Sequence, residues 1–162
     1  MKSSSLHARS LILALLVALA TPAFAVLGDN ASSVLTDQAR MKGTLHSVDH
    51  SAYVMHEITS PSGVRVREFV APGGAVFGVA WDGQFPPDLE ALLGPYYQQA
   101  KQAAAQQKTA QQTSGHAPVR RGPTVVETPG LVFVEGGHSR SFRGQAYVPQ
   151  LIPQGVEASQ IR

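Results

Sequence analysis

Apolar and polar residues alternate along the region between residues 43 and 81. Four short runs are separated by turn-forming residues: 44–48, 52–59, 64–70 and 75–81. The first three keep the alternation, and the fourth is apolar throughout. A period of two predicts β-strands, because successive side chains of a strand point to opposite faces of the sheet. The connections are too short for parallel pairs, so the sequence predicts an antiparallel four-strand meander. Its last run is apolar on both faces, which predicts the most buried strand.

The turn between the first two runs determines their expected register. If Asp49-His50 forms a two-residue turn, His46 faces Tyr53 across the strand pair. Alternation then places His56 on one face of the second strand and Glu57 on the other. His46 and His56 are therefore expected on opposite faces of the sheet.

The apolar spacing changes to a helical period after Pro86-Pro87-Asp88. One helical face then carries seven apolar residues: Leu89, Leu92, Leu93, Tyr96, Tyr97, Ala100 and Ala104. Gly94-Pro95 interrupts this face without changing its phase, which predicts a kinked helix, or two abutting helices with Pro95 in a first turn. The apolar face is expected to pack on the sheet. The Gln- and Ala-rich helix end and the loop after it, about 101–123, are expected to be flexible.

Strand patterns return in the C-terminal third of the chain. Three runs are predicted as strands: 124–127, 131–135 and 138–148. Gly136-Gly137 separates the last two, and two glycines between apolar runs predict a two-residue hairpin turn. In that register Glu135 faces His138, and Leu131 faces Phe142.

The order of the predicted elements indicates one α+β domain. A short helix, capped by Asp29 or Asn30 and ended by Gly43, precedes the meander. Neither an internal repeat nor a second apolar core follows. Residues 26–162 are thus expected to form a single domain, in which an antiparallel sheet packs against a kinked amphipathic helix. The sheet combines the four-strand meander with the C-terminal hairpin.

The first 25 residues have the pattern of an export signal. Lys2 and Arg9 make the start basic, residues 11–20 are apolar, and Ala23-Phe24-Ala25 is a cleavage pattern. We expect cleavage after Ala25 and a periplasmic or secreted protein. An apolar helix of this length spans about 15 Å, half of the bilayer core, so no stable membrane insertion is expected after signal cleavage.

Composition argues against several classes of function. The 13 Lys and Arg and 11 Asp and Glu give a net charge of +2, and removal of Lys2 and Arg9 with the signal leaves the mature chain neutral. A neutral chain has no excess charge to attract nucleic acid, so no nucleic-acid partner is expected. The absence of cysteine excludes a disulfide scaffold, a thiol nucleophile and a thiolate metal site.

The polar residues of the strands match no catalytic or metal motif. The strand and turn histidines have no metal-ligand spacing: His46, His50, His56 and His138. Glu57 and Glu68, with Arg67, come close across the second and third strands. A cross-strand salt bridge on a solvated face is the simpler interpretation, and an acid–base pair is the alternative. The sequence therefore predicts no catalytic residue, no metal ligand and no cofactor.

Aromatic residues cluster in sequence where the fourth strand leads into the helix. The candidate binding residues are Trp81, Phe85, Tyr96 and Tyr97. Beside Pro86-Pro87 they would line an apolar groove for a peptide or a lipid chain. The alternative is that they belong to the core between the sheet and the helix, and their exposure distinguishes the two.

Two stretches, residues 56–94 and 137–156, resemble a known family. They are similar to the domain-of-unknown-function 2844 family of short exported proteobacterial proteins. The most specific segments are VREFV at 66–70, AVFGVAW at 75–81 and Tyr147-Val148-Pro149. The resemblance implies a single domain and a location in the bacterial envelope. It carries no activity, ligand or catalytic residue over to this chain.

Two main classes of function are consistent with these patterns, and a third, a structural subunit of an envelope assembly, would show an unpaired sheet edge or a hydrophobic patch used in association. The first is a non-enzymatic binding or interaction module of the cell envelope, whose partner is another envelope protein or an apolar ligand. The alternative is a small periplasmic hydrolase that uses Glu57, Arg67, Glu68 or His138 on the sheet. A pocket where histidine and acidic side chains converge favours the enzyme, and an aromatic groove without them favours the binding module.

Overall fold

The structure is a computed structural model, and it describes residues 27–113 and 122–162. The expected signal at 1–25 and most of the expected flexible loop lie outside the described residues. The helices are α1 (Ser33–Met41), α2 (Leu89–Leu93) and α3 (Pro95–Thr113). The strands are β1 (Thr44–Asp49), β2 (Val54–Thr59), β3 (Arg65–Val70), β4 (Val76–Gly83), β5 (Thr124–Thr128), β6 (Leu131–His138) and β7 (Ser141–Tyr147). Single 3-10 turns follow at Pro149–Leu151 and Ala158–Gln160.

All of these strands join in one antiparallel sheet with the order β1-β2-β3-β4-β7-β6-β5. The first four form the predicted meander, and the last three form a second meander that joins the first where β7 pairs with β4. The α+β class with an antiparallel sheet is confirmed. Residues 76–81 of β4 are all buried, so the strand predicted as most buried lies at the centre of the sheet.

The register between β1 and β2 differs from the prediction. His46 lies opposite Glu57 and not opposite Tyr53, because residues 50–53 connect the strands in place of a two-residue turn. Within this connection the His50 amide donates to the Tyr53 carbonyl oxygen at 2.9 Å. The two rings stack with their centroids 4.5 Å apart. The stacked pair and the hydrogen bond close the longer turn.

The C-terminal hairpin reverses at Ser139-Arg140, later in the chain than predicted. Arg140 adopts a left-handed backbone with φ 65, and His138 pairs with Ser141. The prediction of a turn at Gly136-Gly137 is wrong, because both glycines continue β6. Gly137 allows the backbone of β7 to lie close, because a Cβ added at this position would be 2.1 Å from the Ser141 carbonyl oxygen.

The helices follow the apolar spacing of the sequence. Asp88 caps α2, and its side chain accepts a hydrogen bond from the Ala91 amide at 3.1 Å. α3 begins at Pro95, directly after the cap that ends α2, so the interrupted pattern forms two abutting helices. Across residues 27–113 and 122–162, no helix is long and apolar enough to cross a membrane.

α1 begins at Ser33, because the residues before it form turns that are hydrogen-bonded to the start of β4. The Gly28 amide donates to the Val76 carbonyl oxygen, and the Val76 amide donates to that of Asp29, each at 2.8 Å. Asn30 forms a bridge with Ala75, so the expected caps belong to this segment. It lies against the start of β4 and ties the N-terminal end of the described chain to the centre of the sheet.

The two faces of the sheet are covered differently. On one, which we call the helix face, the helices bury the larger cluster, including Val34, Ile58, Val66, Val79, Trp81, Leu89, Leu93 and Phe133. The other, which we call the open face, carries a smaller cluster: Tyr53, Phe69, Phe77, Ala80 and Ile161. Residues of the C-terminal segment, Leu151, Ile152 and Val156, pack against this cluster. Both polar and apolar side chains occupy the rest of the open face.

Candidate functional site

Charged side chains of β3 and β4 meet on the open face. Alternation along β3 points Arg65 and Arg67 to this face, and the register places Arg65 opposite Asp82. Asp82 Oδ2 accepts hydrogen bonds from Arg65 Nε at 3.1 Å and from a terminal nitrogen of the same guanidinium at 2.7 Å. Asp82 Oδ1 accepts one from Arg67 at 2.5 Å. One carboxylate thus holds two guanidinium groups in place.

A pocket of about 1160 Å³ lies over this ion pair cluster. β7 contributes Arg143, opposite Asp82, and Gln145, two positions further along the same face. Arg162 and the segment 122–124 complete the wall. The pocket is therefore assembled from strands far apart in the sequence and from the C-terminal segment.

The described residues that line the pocket carry more positive than negative side chains. The guanidinium groups belong to Arg65, Arg67, Arg143 and Arg162, and the carboxyl groups to Asp82 and Glu135. Burial raises the pKa of Glu135, which favours its neutral form. The hydrogen bond with Asp82 raises the pKa of Arg65, which favours its charged form. This balance attracts oxyanions, whose oxygens match the planar donor fork of arginine.

An apolar patch lies on the β6 side of the pocket, beside the polar residues Glu135 and His138. Val134 of β6 lines the pocket, and Val125, its cross-strand partner on the same face, is 40% exposed. Pro123 lies over Gly136, where an added Cβ would be 3.1 Å from the proline ring. The strand order places β7 between this apolar patch and the ion pairs of β3 and β4. Charged groups and an apolar patch thus lie in one pocket.

A contact between Trp81 and Gly144 lies beneath the pocket, on the helix face of the sheet. The two residues lie opposite each other on β4 and β7, and Trp81 is 1% exposed. A Cβ at Gly144 would lie 2.3 Å from Trp81 Cζ2, so only glycine leaves room for the indole across β7. The ring of Phe133 packs on the indole at 5.9 Å between centroids. Both Trp81 and Gly144 line the pocket.

A second polar group lies on the helix face across β1, β2 and β3. A hydrogen bond of 2.7 Å joins Ser47 Oγ and His56 Nδ1, and Glu68 lies opposite His56 on the next strand. Burial lowers the pKa of His56, and the nearby charge of Asp49 raises it less. The imidazole is therefore neutral near neutral pH, the form in which a ring nitrogen accepts a proton.

Glu68 is buried between this group and α1. It lies close enough to Arg40 of α1 to feel its charge, and Arg40 forms an ion pair with the buried Asp37. Burial raises the pKa of Glu68 to about 7, and the positive charge of Arg40 opposes this rise. One of its carboxyl oxygens has no hydrogen-bond partner among the described residues. A carboxyl group in this setting is costly to ionise.

The family described as Protein of unknown function (DUF2844) matches residues 23–161. The chain belongs to this family. The match spans every described strand and helix, so it includes all the strands that form the pocket. Comparisons with curated proteins and with solved structures gave no match.

The aromatic residues predicted as a binding group have different environments in this family member. Trp81 is buried beneath β7, whereas Phe85, beyond the end of β4, is 57% exposed. Tyr96 and Tyr97 are half-buried and pack against the helix-face core. The ammonium group of Lys101 lies 5.3 Å from the centre of the Tyr97 ring. The four rings do not share one exposed surface, and a role for them in binding stays a prediction.

The structure separates the other candidates of the sequence. Glu57 lies opposite Arg67 on the neighbouring strand, but the ion pair of Arg67 is with Asp82, and Glu68 points to the opposite face and is buried. His138 shares the pocket with Asp82 and Glu135, so histidine and acidic side chains do meet there. Asp82, however, is held by two guanidinium groups, and Nδ1 of His138 lies 3.2 Å from the Ser139 carbonyl oxygen. In the part of the chain that the structure describes, no three His, Asp or Glu side chains are placed to hold a metal ion.

Arg143 and Arg162 are pocket residues that sequence reasoning missed. A turn at Gly136-Gly137 gives β7 the wrong partners, so Arg143 cannot be assigned to the neighbourhood of Asp82. The alternation of Arg143 and Gln145 marks a polar face of β7. It does not reveal that β7 pairs with β4, and that pairing creates the site.

Proposed function

We propose that this chain is an exported, non-enzymatic binding module that holds an anionic ligand in the pocket of the open face. The convergence of Arg65, Arg67, Arg143 and Arg162 on one pocket carries the proposal. Arginine binds phosphate and carboxylate groups through paired N–H donors, and several arginines together select for such groups.

The arrangement of the arginines supports binding of this kind. Asp82 holds Arg65 and Arg67, so these side chains lose less rotamer freedom when a ligand arrives. Arg143 is exposed on the same face and forms no ion pair among the described residues, so its donors are available to a ligand. Two ordered guanidinium groups and one adaptable one suit an oxyanion with several acceptor oxygens.

The export part of the proposal rests on the N-terminal pattern. A basic start, the apolar run at 11–20 and Ala23-Phe24-Ala25 are typical of a cleaved signal. Such a signal directs the chain to the periplasm or beyond, where the pocket would meet its ligand. Mass spectrometry of the exported protein tests this, because a mature N-terminus far from Val26 would contradict the cleavage.

Titration of the purified mature protein with inorganic phosphate tests the binding. Arg143→Gln removes one exposed guanidinium from the pocket, and we expect about tenfold weaker binding by calorimetry. Lys108→Gln is the matched control, because it removes the same charge from an exposed position on α3. Trp81, the one tryptophan of the sequence, lines the pocket and provides a second readout by fluorescence.

The control distinguishes a site from general charge attraction. The proposal requires that Lys108→Gln binds phosphate as the unmodified protein does, while Arg143→Gln binds it more weakly. Equal losses in the two variants would mean nonspecific attraction, which falls steeply with salt. Such a result, or an affinity unchanged by Arg143→Gln, would contradict the proposal.

Ester hydrolysis is a second candidate, and one observation favours it. Ser47 and His56 are joined at 2.7 Å, the distance of a nucleophile and its general base, and Glu68 lies on the far side of the histidine. The structure shows no hydrogen bond between Glu68 and His56 to orient the imidazole. Hydrolysis of a nitrophenyl ester that is lost in Ser47→Ala would support this candidate, and equal rates in the two proteins would exclude it.

A further inference from the structure

The pocket offers more than a set of arginines. An inorganic anion bound between Arg67 and Arg143 would leave Val134 and Pro123 in contact with water on the opposite wall. The strip continues beyond the pocket, because exposed Val125 lies beside Val134 on the open face. Apolar residues exposed next to a charged group in a concave site are typical of ligands with an apolar body and a polar head.

We infer that the ligand is an amphiphilic anion, with its oxyanion head among the arginines and its apolar chain along Val134 and Val125. The inference rests on the proposed function, since it assigns the ligand class of the same pocket. The strand order sets the direction of the ligand: the head lies over β3, β4 and β7, and the chain crosses β6 toward β5. The head then contacts the arginines, and the apolar chain contacts the valines.

The size of the pocket favours a single free molecule as the ligand. A volume of about 1160 Å³ exceeds what a phosphate group fills and lies at the upper end for small-molecule sites. A membrane surface is a poorer match, because the chain without Lys2 and Arg9 carries no net charge to attract anionic lipid. The ligand would thus enter the pocket as a monomer, apart from any bilayer.

A comparison of three probes tests the inference on the unmodified mature protein. The probes are inorganic phosphate, octyl phosphate below its micelle concentration, and octyl glucoside, which has the same chain and a neutral head. Each methylene removed from water strengthens binding about fourfold, so three buried methylenes make octyl phosphate about fiftyfold tighter than phosphate. Octyl glucoside should bind far more weakly than octyl phosphate, because its head meets none of the charge.

A double variant tests the position of the chain. Val125→Thr with Val134→Thr keeps the shape and the strand preference of both residues but makes the wall polar. We expect it to remove most of the octyl advantage, measured as the ratio of the octyl phosphate affinity to the phosphate affinity of the same variant. Val48→Thr is the matched control, because Val48 lies on the same face at the opposite edge strand. It should leave both affinities unchanged.

The outcomes separate the inference from the proposed function. Phosphate binding with no gain from the octyl chain would overturn the inference and leave the proposed function standing. Binding of neither phosphate nor octyl phosphate would overturn both. Equal binding of octyl glucoside and octyl phosphate would show a simple apolar site. Co-sedimentation with phosphatidylglycerol vesicles, without saturable binding of octyl phosphate, would replace the free ligand by a membrane surface.

Discussion

Glu68 gives the most direct test of the physics of this fold, through the substitution Glu68→Gln. Glu68 is 1% exposed, lies near Arg40 of α1 and lies opposite His56 of β2. Burial raises the pKa of its carboxyl group from 4.5 to about 7, and Arg40 offsets only part of this rise. His56 brings no compensating charge, because burial lowers its pKa. Glutamine keeps the shape of the side chain and cannot ionise.

The sign of the effect follows from proton binding in the two states. The folded protein keeps the Glu68 proton up to about pH 7, whereas the unfolded chain releases it near the ordinary pKa of 4.5. In this window the folded state binds more protons, so the free energy of unfolding falls as the pH rises. The gap between the two pKa values corresponds to about 3 kcal/mol, reached in full above pH 7. This is a large share of the stability of a domain of this size.

Urea unfolding, followed by Trp81 fluorescence, measures this effect. Part of the effect, about 1 kcal/mol, is already present at about pH 5, because the unfolded carboxyl group is mostly ionised there. Between about pH 5 and about pH 8 the variant should therefore gain about 2.5 kcal/mol of stability relative to the unmodified protein. Glu57→Gln is the matched control, because Glu57 lies on the neighbouring strand and points to the open face. Its stability should follow that of the unmodified protein across the range.

The test is the change in the stability gap between the variant and the unmodified protein from the lower to the higher pH. A buried glutamine amide without partners costs free energy, but that cost is the same at both pH values. If the stability gap between Glu68→Gln and the unmodified protein stays constant from about pH 5 to about pH 8, the carboxyl group does not titrate as its burial requires. Such a result would refute a raised pKa of Glu68 caused by burial.

Three further substitutions test the packing, the ion pairs and a helix cap. Gly144→Ala places a methyl group against Trp81, and we expect a loss of about 3 kcal/mol in urea unfolding, with Gly144→Ser no better. Asp82→Asn releases two guanidinium groups to a ligand, so phosphate should bind about tenfold tighter by calorimetry, with stability within about 1 kcal/mol. Weaker binding would show that ordering of the arginines matters more than their availability. Asp88→Ala removes the acceptor for the Ala91 amide and should cost about 1 kcal/mol, which Asp88→Asn should largely restore.

The sequence predicted those strands and helices for which the apolar period and the neighbouring turn residues indicate the same local structure. The alternation in β3 and β4 and the short turns at Gly63 and Gly74 allow one arrangement, and the meander follows it. The same holds for α2 and α3, where the apolar phase continues across Gly94-Pro95. In each case the turn chemistry and the apolar period point to the same structure.

The prediction failed where a local signal competed with tertiary packing. Gly136-Gly137 is typical of a hairpin turn, but Gly136 leaves room for Pro123 and Gly137 for the carbonyl group of Ser141. Each glycine is needed because a neighbouring group in the sheet lies too close for a Cβ atom. The same Gly-Gly dipeptide also occurs in hairpin turns, so a rule based on the dipeptide cannot distinguish the two cases. The site could not be predicted for a related reason. Its arginines come from β3, β7 and the C-terminal segment, and only the pairing of β4 with β7 brings them together.

β3 connects the two chemistries of the sheet, because neighbouring residues of this strand serve opposite faces. Arg67 points into the pocket, and Glu68, the next residue, points beneath α1. Val66 and Val70 flank Glu68 on the helix face and are buried, so a slip of one residue would expose this core and bury the arginines. Burial of the valines therefore fixes the position of the arginines. The cost of that register is the burial of the Glu68 carboxyl group, which lies in the core while Arg65 and Arg67 face the pocket.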